Sequence, residues 1–202
     1  EGRFVFDADE HTHLEQFLET AADMGLYIMA RPGPYQYSEL LYAGLPGWLL
    51  KKYPKILART YNGQTMRFFS ASYVHPVFLK KSKIWYDRIC PVIAPYTVNR
   101  GGPIAFAQID NELMGIHIWF GGLDYNAESM EFGKAGGHYA RFMRTRFGDL
   151  ATLNRSLGLK CRSFAAVPAP DPQGPTTPEA LRHRRAYLEF YLSRAAEYCR
   201  TL

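Results

Sequence analysis

Asn111 and Glu112 stand directly after a run of mainly apolar residues, PIAFAQI at 103–109, with Asp110 between. A run of that length bounded by turn residues reads as a buried strand, and chemistry in parallel α/β folds gathers where strands end. A carboxyl group beside such a strand loses water, which disfavours its charged form and raises its pKa. That suits a general acid working near neutral pH. An asparagine beside it offers both a donor and an acceptor, as a sugar hydroxyl requires. A solvated glutamate in a loop fits the same spacing, and both readings stay open. A second group follows the apolar run LYIMA at 26–30: in RPGPYQYSELLYAGLPGWLL (31–50), Glu39 keeps company with Tyr35, Tyr37, Tyr42 and Trp48. A carboxylate among rings resembles a sugar subsite, the carboxylate taking hydroxyl hydrogen bonds and the rings covering the apolar sugar face. Aromatic residues that simply pack the loop against a sheet are the equal alternative.

The elements that must position these groups follow from periodicity. Residues 10–24 read as a helix on the stripe Leu14, Phe17, Leu18, Ala21 and Ala22, with Gly25 as its left-handed cap. The runs 26–30 and 103–109 read as strands buried on both faces. Between them, 31–50 reads as a long loop and 76–96 as a helix whose last turn is interrupted by Pro91 and Pro95. Tyr139, Phe142, Met143 and Phe147 mark a helix closed by Gly148; Leu150, Leu153 and Leu157 mark another. After a proline-rich connection, Thr177 and Pro178 form an N-cap and first position for a final helix carrying Leu181, Leu188, Tyr191, Ala195 and Tyr198. Short apolar strands alternating with helices predict an α/β fold with parallel strands. Two strands close no barrel, so the expectation is a segment, 1–202, of a single larger domain.

Composition narrows the classes. The 202 residues are 47% hydrophobic and 21% charged, a globular balance, with no apolar run long enough to span a membrane. The opening residues, with their acids and no apolar core, do not read as a signal peptide. The net charge is +5, and Lys51, Lys52, Lys55, Arg59, Arg67, Lys80, Lys81 and Lys83 form a basic stretch without an acid. Nucleic acid would want such a patch, but no nucleic-acid motif accompanies it, and solvated faces explain it; no nucleic-acid or membrane partner is expected. Cys90, Cys161 and Cys199 fit neither a zinc spacing nor a disulfide framework; they read as buried small hydrophobes in a reducing, cytoplasmic setting. No metal or organic cofactor is expected. His11 and His13 point to different helix faces, His117 reads as structural or as bordering the site, and Trp119, Phe120 and Tyr125 line a subsite or pack.

Arg31-Pro32-Gly33-Pro34-Tyr35, Glu39, Gly44-Leu45-Pro46 with Trp48-Leu49, Gly101-Gly102-Pro103-Ile104 and Gln108-Ile109-Asp110-Asn111-Glu112 stand in the order of glycoside hydrolase family 35 β-galactosidases, which the chain resembles over roughly residues 1–115. Lys51-Lys52-Tyr53-Pro54 and the Phe147–Asn154 region look more like family 42. The resemblance implies a partial (β/α)8 TIM barrel and a retaining two-carboxylate hydrolysis of terminal β-linked galactosides. It implies Glu112 as the general acid/base, Asn111 on the sugar 2-hydroxyl, Glu39 on galactose hydroxyls, and Tyr35, Gln36, Tyr37 and Ser38 at neighbouring subsite positions. Gln36-Tyr37-Ser38 depart from the family's usual Ile-Cys-Ala, and Leu113 replaces its frequent Tyr. No carboxylate after Glu112 ends an apolar strand, so the nucleophile is expected beyond Leu202. A non-catalytic carbohydrate-binding relative and a glycosidase for another sugar, such as glucosamine, are the rivals.

Overall fold

Leu18 and Ala21, three residues apart, are the side chains that α1 (Leu14–Asp23) buries, as a 3.6-residue period requires. The computed structural model describes residues 4–6, 13–37, 40–67, 70–113, 115–120 and 122–202; the expected first helical turn at 10–12, with His11, lies outside them. Phe17, part of the expected stripe, is exposed.

The chain divides into two compact units, residues 1–52 with 80–113 and 202, and residues 53–79 with 114–201. The first holds α1, β1 (Ile28–Gly33), α2 (Gly47–Lys52), most of α3 (Pro76–Ile93) and β2 (Ile104–Ile109). β1 and β2 pair in parallel, Ile28 opposite Ile104, Met29 opposite Phe106, Ala30 opposite Ala107 and Gly33 opposite Ile109. β1 starts two residues later than expected and runs on through Pro32, which an edge strand tolerates because its outer N–H groups need no partner. The expected loop 31–50 therefore begins as strand, and it ends in α2 after a short 3-10 turn at Leu41–Gly44. α3 accommodates Pro91 near its end, and a 3-10 turn at Ala94–Tyr96 takes over from it. The strands are not buried on both faces: Met29 is 56% and Phe106 69% exposed, and Tyr27 and Ile109 are exposed as well. Among the described residues the sheet has two strands with both outer edges open, and these apolar side chains are left exposed.

The second unit is helical. α4 (Gly115–Phe120), α5 (Ala127–Met130), α6 (His138–Phe147), α7 (Leu150–Leu157) and α8 (Pro178–Thr201) follow one another. Three of these helix starts carry a side-chain cap: Asn126 accepts from Glu128 N and Ser129 N, Asp149 from Thr152 N, and Thr177 Oγ1 from Ala180 N. α8 buries His183, Ala186, Tyr187, Phe190, Tyr191, Arg194, Ala195 and Tyr198. Leu181 and Leu188, expected in the core, are exposed. The tyrosine hydroxyls make this aromatic face possible, because Tyr187 donates to Asp124 O at 2.5 Å and Tyr139 to Pro168 O at 3.2 Å. The cysteines depart from expectation too: Cys90 is exposed and Cys161 and Cys199 are half-buried. Among the described residues no helix is long and apolar enough to cross a membrane.

Candidate active site

Because β1 and β2 run parallel and Gly33 lies opposite Ile109, both strands deliver their following residues to the same edge of the sheet. The chain leaves β2 through Asp110 and Glu112, both in the left-handed region at φ 61° and 46°. Asp110 is 1% exposed. Its N–H donates to Gly33 O at 3.1 Å, and its Oδ1 accepts from Tyr35 N at 3.0 Å and from Asn111 N at 2.8 Å. One buried carboxylate thus ties the end of β2 to the loop after β1, and a short acid is among the few side chains that accept a left-handed backbone readily.

Asn111 is buried. Its Oδ1 accepts from Arg31 Nη2 and, at 3.3 Å, from Gln108 Nε2. Glu112 is exposed, which corrects the expectation that the strand would desolvate it. The inward place at the strand end is taken by Asp110, and the positive φ at residues 110 and 112 carries the next carboxyl outward.

The loop after β1 is held from three sides. Trp85 Nε1 on α3 donates to Pro32 O at 2.5 Å and Tyr86 Oη to Gly33 O at 2.7 Å. Gln36 Nε2 donates to Arg31 O at 2.9 Å, while the backbone N–H groups of Gln36 and Tyr37 both donate to Ala43 O. Gly33 stands at φ 85°, a left-handed backbone that favours glycine, and a Cβ there would displace the end of the Gln36 side chain, 2.8 Å away. Tyr35 is fully buried and its ring stacks on that of Tyr37, centroids 5.9 Å apart. Tyr35 therefore acts through its backbone N–H and its packing, and Gln36 and Tyr37 are half-buried beside it. Ser38 and Glu39 lie outside the described residues. In the basic stretch, Lys81 Nζ sits 5.8 Å from the Trp48 ring centroid.

In the second unit His117 is completely buried on α4. Its Nε2 lies 3.1 Å from Ala71 O and its Nδ1 contacts Tyr191 Oη. A carbonyl only accepts, so Nε2 carries the proton and Nδ1 accepts the tyrosine hydrogen. Burial holds its pKa below the usual histidine value. It is the anchor of α4. Trp119, on the same helix, is 60% exposed. Tyr125 packs on Tyr187, centroids 4.8 Å apart, and its hydroxyl is pushed up to about 12, first by burial and then by Tyr61 and Asp171. Among the described residues no cluster of three or more His, Cys, Asp or Glu is arranged to hold a metal.

Asp110, Arg31, Tyr86 and Gln108 belong to this arrangement, and residue type and spacing alone assign them no task.

The model of "Glycosyl hydrolases family 35" matches residues 1–132. The chain is 38% identical over 115 residues to an exo-beta-D-glucosaminidase of Pyrococcus horikoshii, covering 54% of this chain and 15% of that protein. It is 35% identical over 110 residues to beta-galactosidase-1-like protein 2 of Homo sapiens, again 54% and 15%. It is 32% identical over 171 residues to a beta-1,2-glucosyltransferase of Ignavibacterium album, 82% of this chain and 23% of that one. The chain thus spans between about one seventh and one quarter of these relatives. Its fold matches part of a β-galactosidase structure from the psychrophilic Marinomonas ef1, with a TM-score of 0.57 at 15% identity, over 92% of this chain and 27% of the other.

Proposed function

The chain belongs to glycosyl hydrolases family 35, and from that premise we propose that it is the proton-donor segment of a retaining β-glycosidase, part of one (β/α)8 barrel domain, acting on terminal β-linked galactosides. Glu112 protonates the departing glycosidic oxygen and then deprotonates the water that releases the sugar. A second carboxylate, from polypeptide beyond this chain and about 5–5.5 Å from the Glu112 carboxyl, attacks the anomeric carbon. Asn111 contacts the sugar 2-position, and Glu39, with Gln36, Tyr37 and Ser38, holds the remaining hydroxyls. Tyr35 supports that loop from beneath. No metal or cofactor enters the reaction. The features similar to family 42 bear on substrate detail within the same mechanism.

The observation that carries the reading is the buried link from Asp110 to Tyr35 and Asn111. It fixes the loop of the sugar-binding residues to the loop of the acid through one side chain.

The test is Glu112→Gln in the full-length polypeptide, with two galactosides of unequal leaving group. The alkyl galactoside, which needs protonation, should slow about 10²–10⁴-fold. The nitrophenyl galactoside, which hardly needs it, should slow far less. Equal loss on both would remove Glu112 from the acid role. The second reading, a 2-amino sugar as substrate, draws on the 38% identity to the glucosaminidase.

A further inference from the structure

The proposed site contains a charge that no step of the reaction uses. Arg31 lies on β1 and its Nη2 donates to Asn111 Oδ1, which also accepts from Gln108 Nε2 at 3.3 Å. A carbonyl oxygen has two lone pairs, and here both are taken. The assignment of the amide follows from chemistry: turned over, Asn111 would set its own NH2 against a guanidinium, donor against donor. An amide pinned in this way has only its Nδ2 hydrogens to offer a ligand.

We infer that Arg31 is a specificity-determining residue, which by pinning Asn111 as a donor selects sugars with a 2-hydroxyl over sugars with a 2-ammonium group. The inference rests on the proposed contact between Asn111 and the sugar 2-position, and it decides between the two substrates left open above. A hydroxyl at that position can accept from Nδ2 with a lone pair. A protonated amine has three hydrogens and no lone pair, so it meets Nδ2 donor to donor. Arg31 adds a like charge behind the amide. Among the described residues, the charged groups bonded to Asn111 or next to it in the chain are Arg31, Asp110 and Glu112. Asp110 is buried, with its Oδ1 turned to backbone N–H groups, and Glu112 is the proposed acid, so neither replaces the missing acceptor. Sites that hydrogen-bond a substrate group reject analogues that cannot complete the bond, because the polar group of the site is left unpaired.

The experiment compares kcat/KM of the full-length polypeptide for nitrophenyl β-D-galactoside and its 2-amino-2-deoxy counterpart. The pH is about 6, where an amine of α-amino type is cationic. The two substrates differ in the 2-substituent alone. The wild type should favour the hydroxyl sugar by at least about 100-fold. Arg31→Met releases the amide to turn its oxygen toward the ligand, and the preference should fall about tenfold or more. Arg31→Lys, which keeps a cationic donor, should hold it within about threefold. Arg31 is exposed, so its replacement leaves the core intact. Equal use of both sugars by the wild type, or an unchanged preference in Arg31→Met, overturns the inference while leaving the glycosidase reading in place. If neither sugar is hydrolysed, the glycosidase reading fails, and saturation-transfer NMR with the two methyl glycosides decides. Selective binding of the hydroxyl sugar then supports the role of Arg31, and unselective or absent binding overturns it.

Discussion

Replacing Asp110 separates the two things this residue does. Its carboxylate accepts two backbone N–H groups, from Tyr35 at 3.0 Å and Asn111 at 2.8 Å, at a position 1% exposed to solvent. Its backbone stands at φ 61°. A hydrogen bond to a charged acceptor contributes about 1.5–3 kcal/mol, so losing both costs about 3–6 kcal/mol. A left-handed conformation costs an ordinary L-residue a further 1–2 kcal/mol or about that. Asp110→Asn keeps an oxygen acceptor and tolerates the backbone, and should lose about 1 kcal/mol. Asp110→Gly relieves the backbone but loses both bonds, and should lose about 3 kcal/mol or more. Asp110→Ala loses on both counts and should be the least stable. Urea denaturation of the full-length polypeptide measures the order Asn, Gly, Ala. Hydrogen exchange at the Tyr35 and Asn111 amides gives the local reading, with protection kept in the Asn variant and lost in the other two. If the Asn variant falls as far as the Ala variant, or if both amides stay protected in Ala, the carboxylate is not the tie between the two loops.

The second unit should weaken in acid. Burial lowers the pKa of His117 in the fold, and His138 and His183 are lowered by the same cause. The unfolded chain, with histidine near 6.5 or about that, then binds more protons than the fold. Stability is therefore full above about pH 6.5 and declines as pH falls below it, by up to about 1.4 kcal/mol per pH unit for each histidine that stays neutral. A urea series from pH 8 to about pH 5 measures the slope; His117→Gln should flatten it, and an unchanged slope would show that His117 is not among the groups responsible. Gly102→Ala should be far worse than Gly101→Ala: a Cβ on Gly102 would lie 2.2 Å from Tyr96 O, whereas one on Gly101 meets nothing within 4 Å and suffers only from φ 86°. Thermal melts should show about 1–2 kcal/mol for Gly101→Ala and about 3 kcal/mol or more for Gly102→Ala; equal losses would mean the backbone at residue 96 moves away freely.

What the sequence made legible was whatever depends on local period and local caps. β2, α6 and α7 fall where the apolar spacing put them, and Thr177 and Pro178 open α8 as a cap and first turn should. The errors arose where distant chain decides. The expected face of α8 is Leu181, Leu188, Tyr191, Ala195 and Tyr198; the last three are buried, but Leu181 and Leu188 face water and Tyr187 is buried instead. A tyrosine ranks as semi-polar in a pattern, but with its hydroxyl on a carbonyl it fills a core as well as phenylalanine does. The sequence predicts β1 to end before Arg31 because proline reads as a breaker, but Pro32 is tolerated in a strand that pairs only with β2 among the described residues. At the site, Asn111 and Glu112 could be singled out by type and position. The roles of Asp110 and Arg31 could not, since each depends on a partner 75 or more residues away in sequence.

The exposed strands and the exposed acid share one cause. Fully burying a Met or Phe side chain stabilises a fold by about 1.5–3 kcal/mol, and Met29, Phe106 and Ile109 largely forgo that gain here. A two-stranded parallel sheet has both edges open, and the parallel sheets of soluble proteins are covered on both faces. The side chains that the sequence marks as strand core are therefore core only when further strands flank β1 and β2. The same strands would wall in the carboxyl at residue 112, which lies at their common end. Its environment in this chain is water on the side where the barrel reading puts neighbours. On the proposed reading, burial of Phe106 and the acid role of Glu112 are thus one requirement and not two. A full-length polypeptide in which Phe106→Ser leaves both stability and the leaving-group dependence of hydrolysis untouched would show that β2 does not stand inside such a sheet, and the proposed role of Glu112 would lose its physical basis with it.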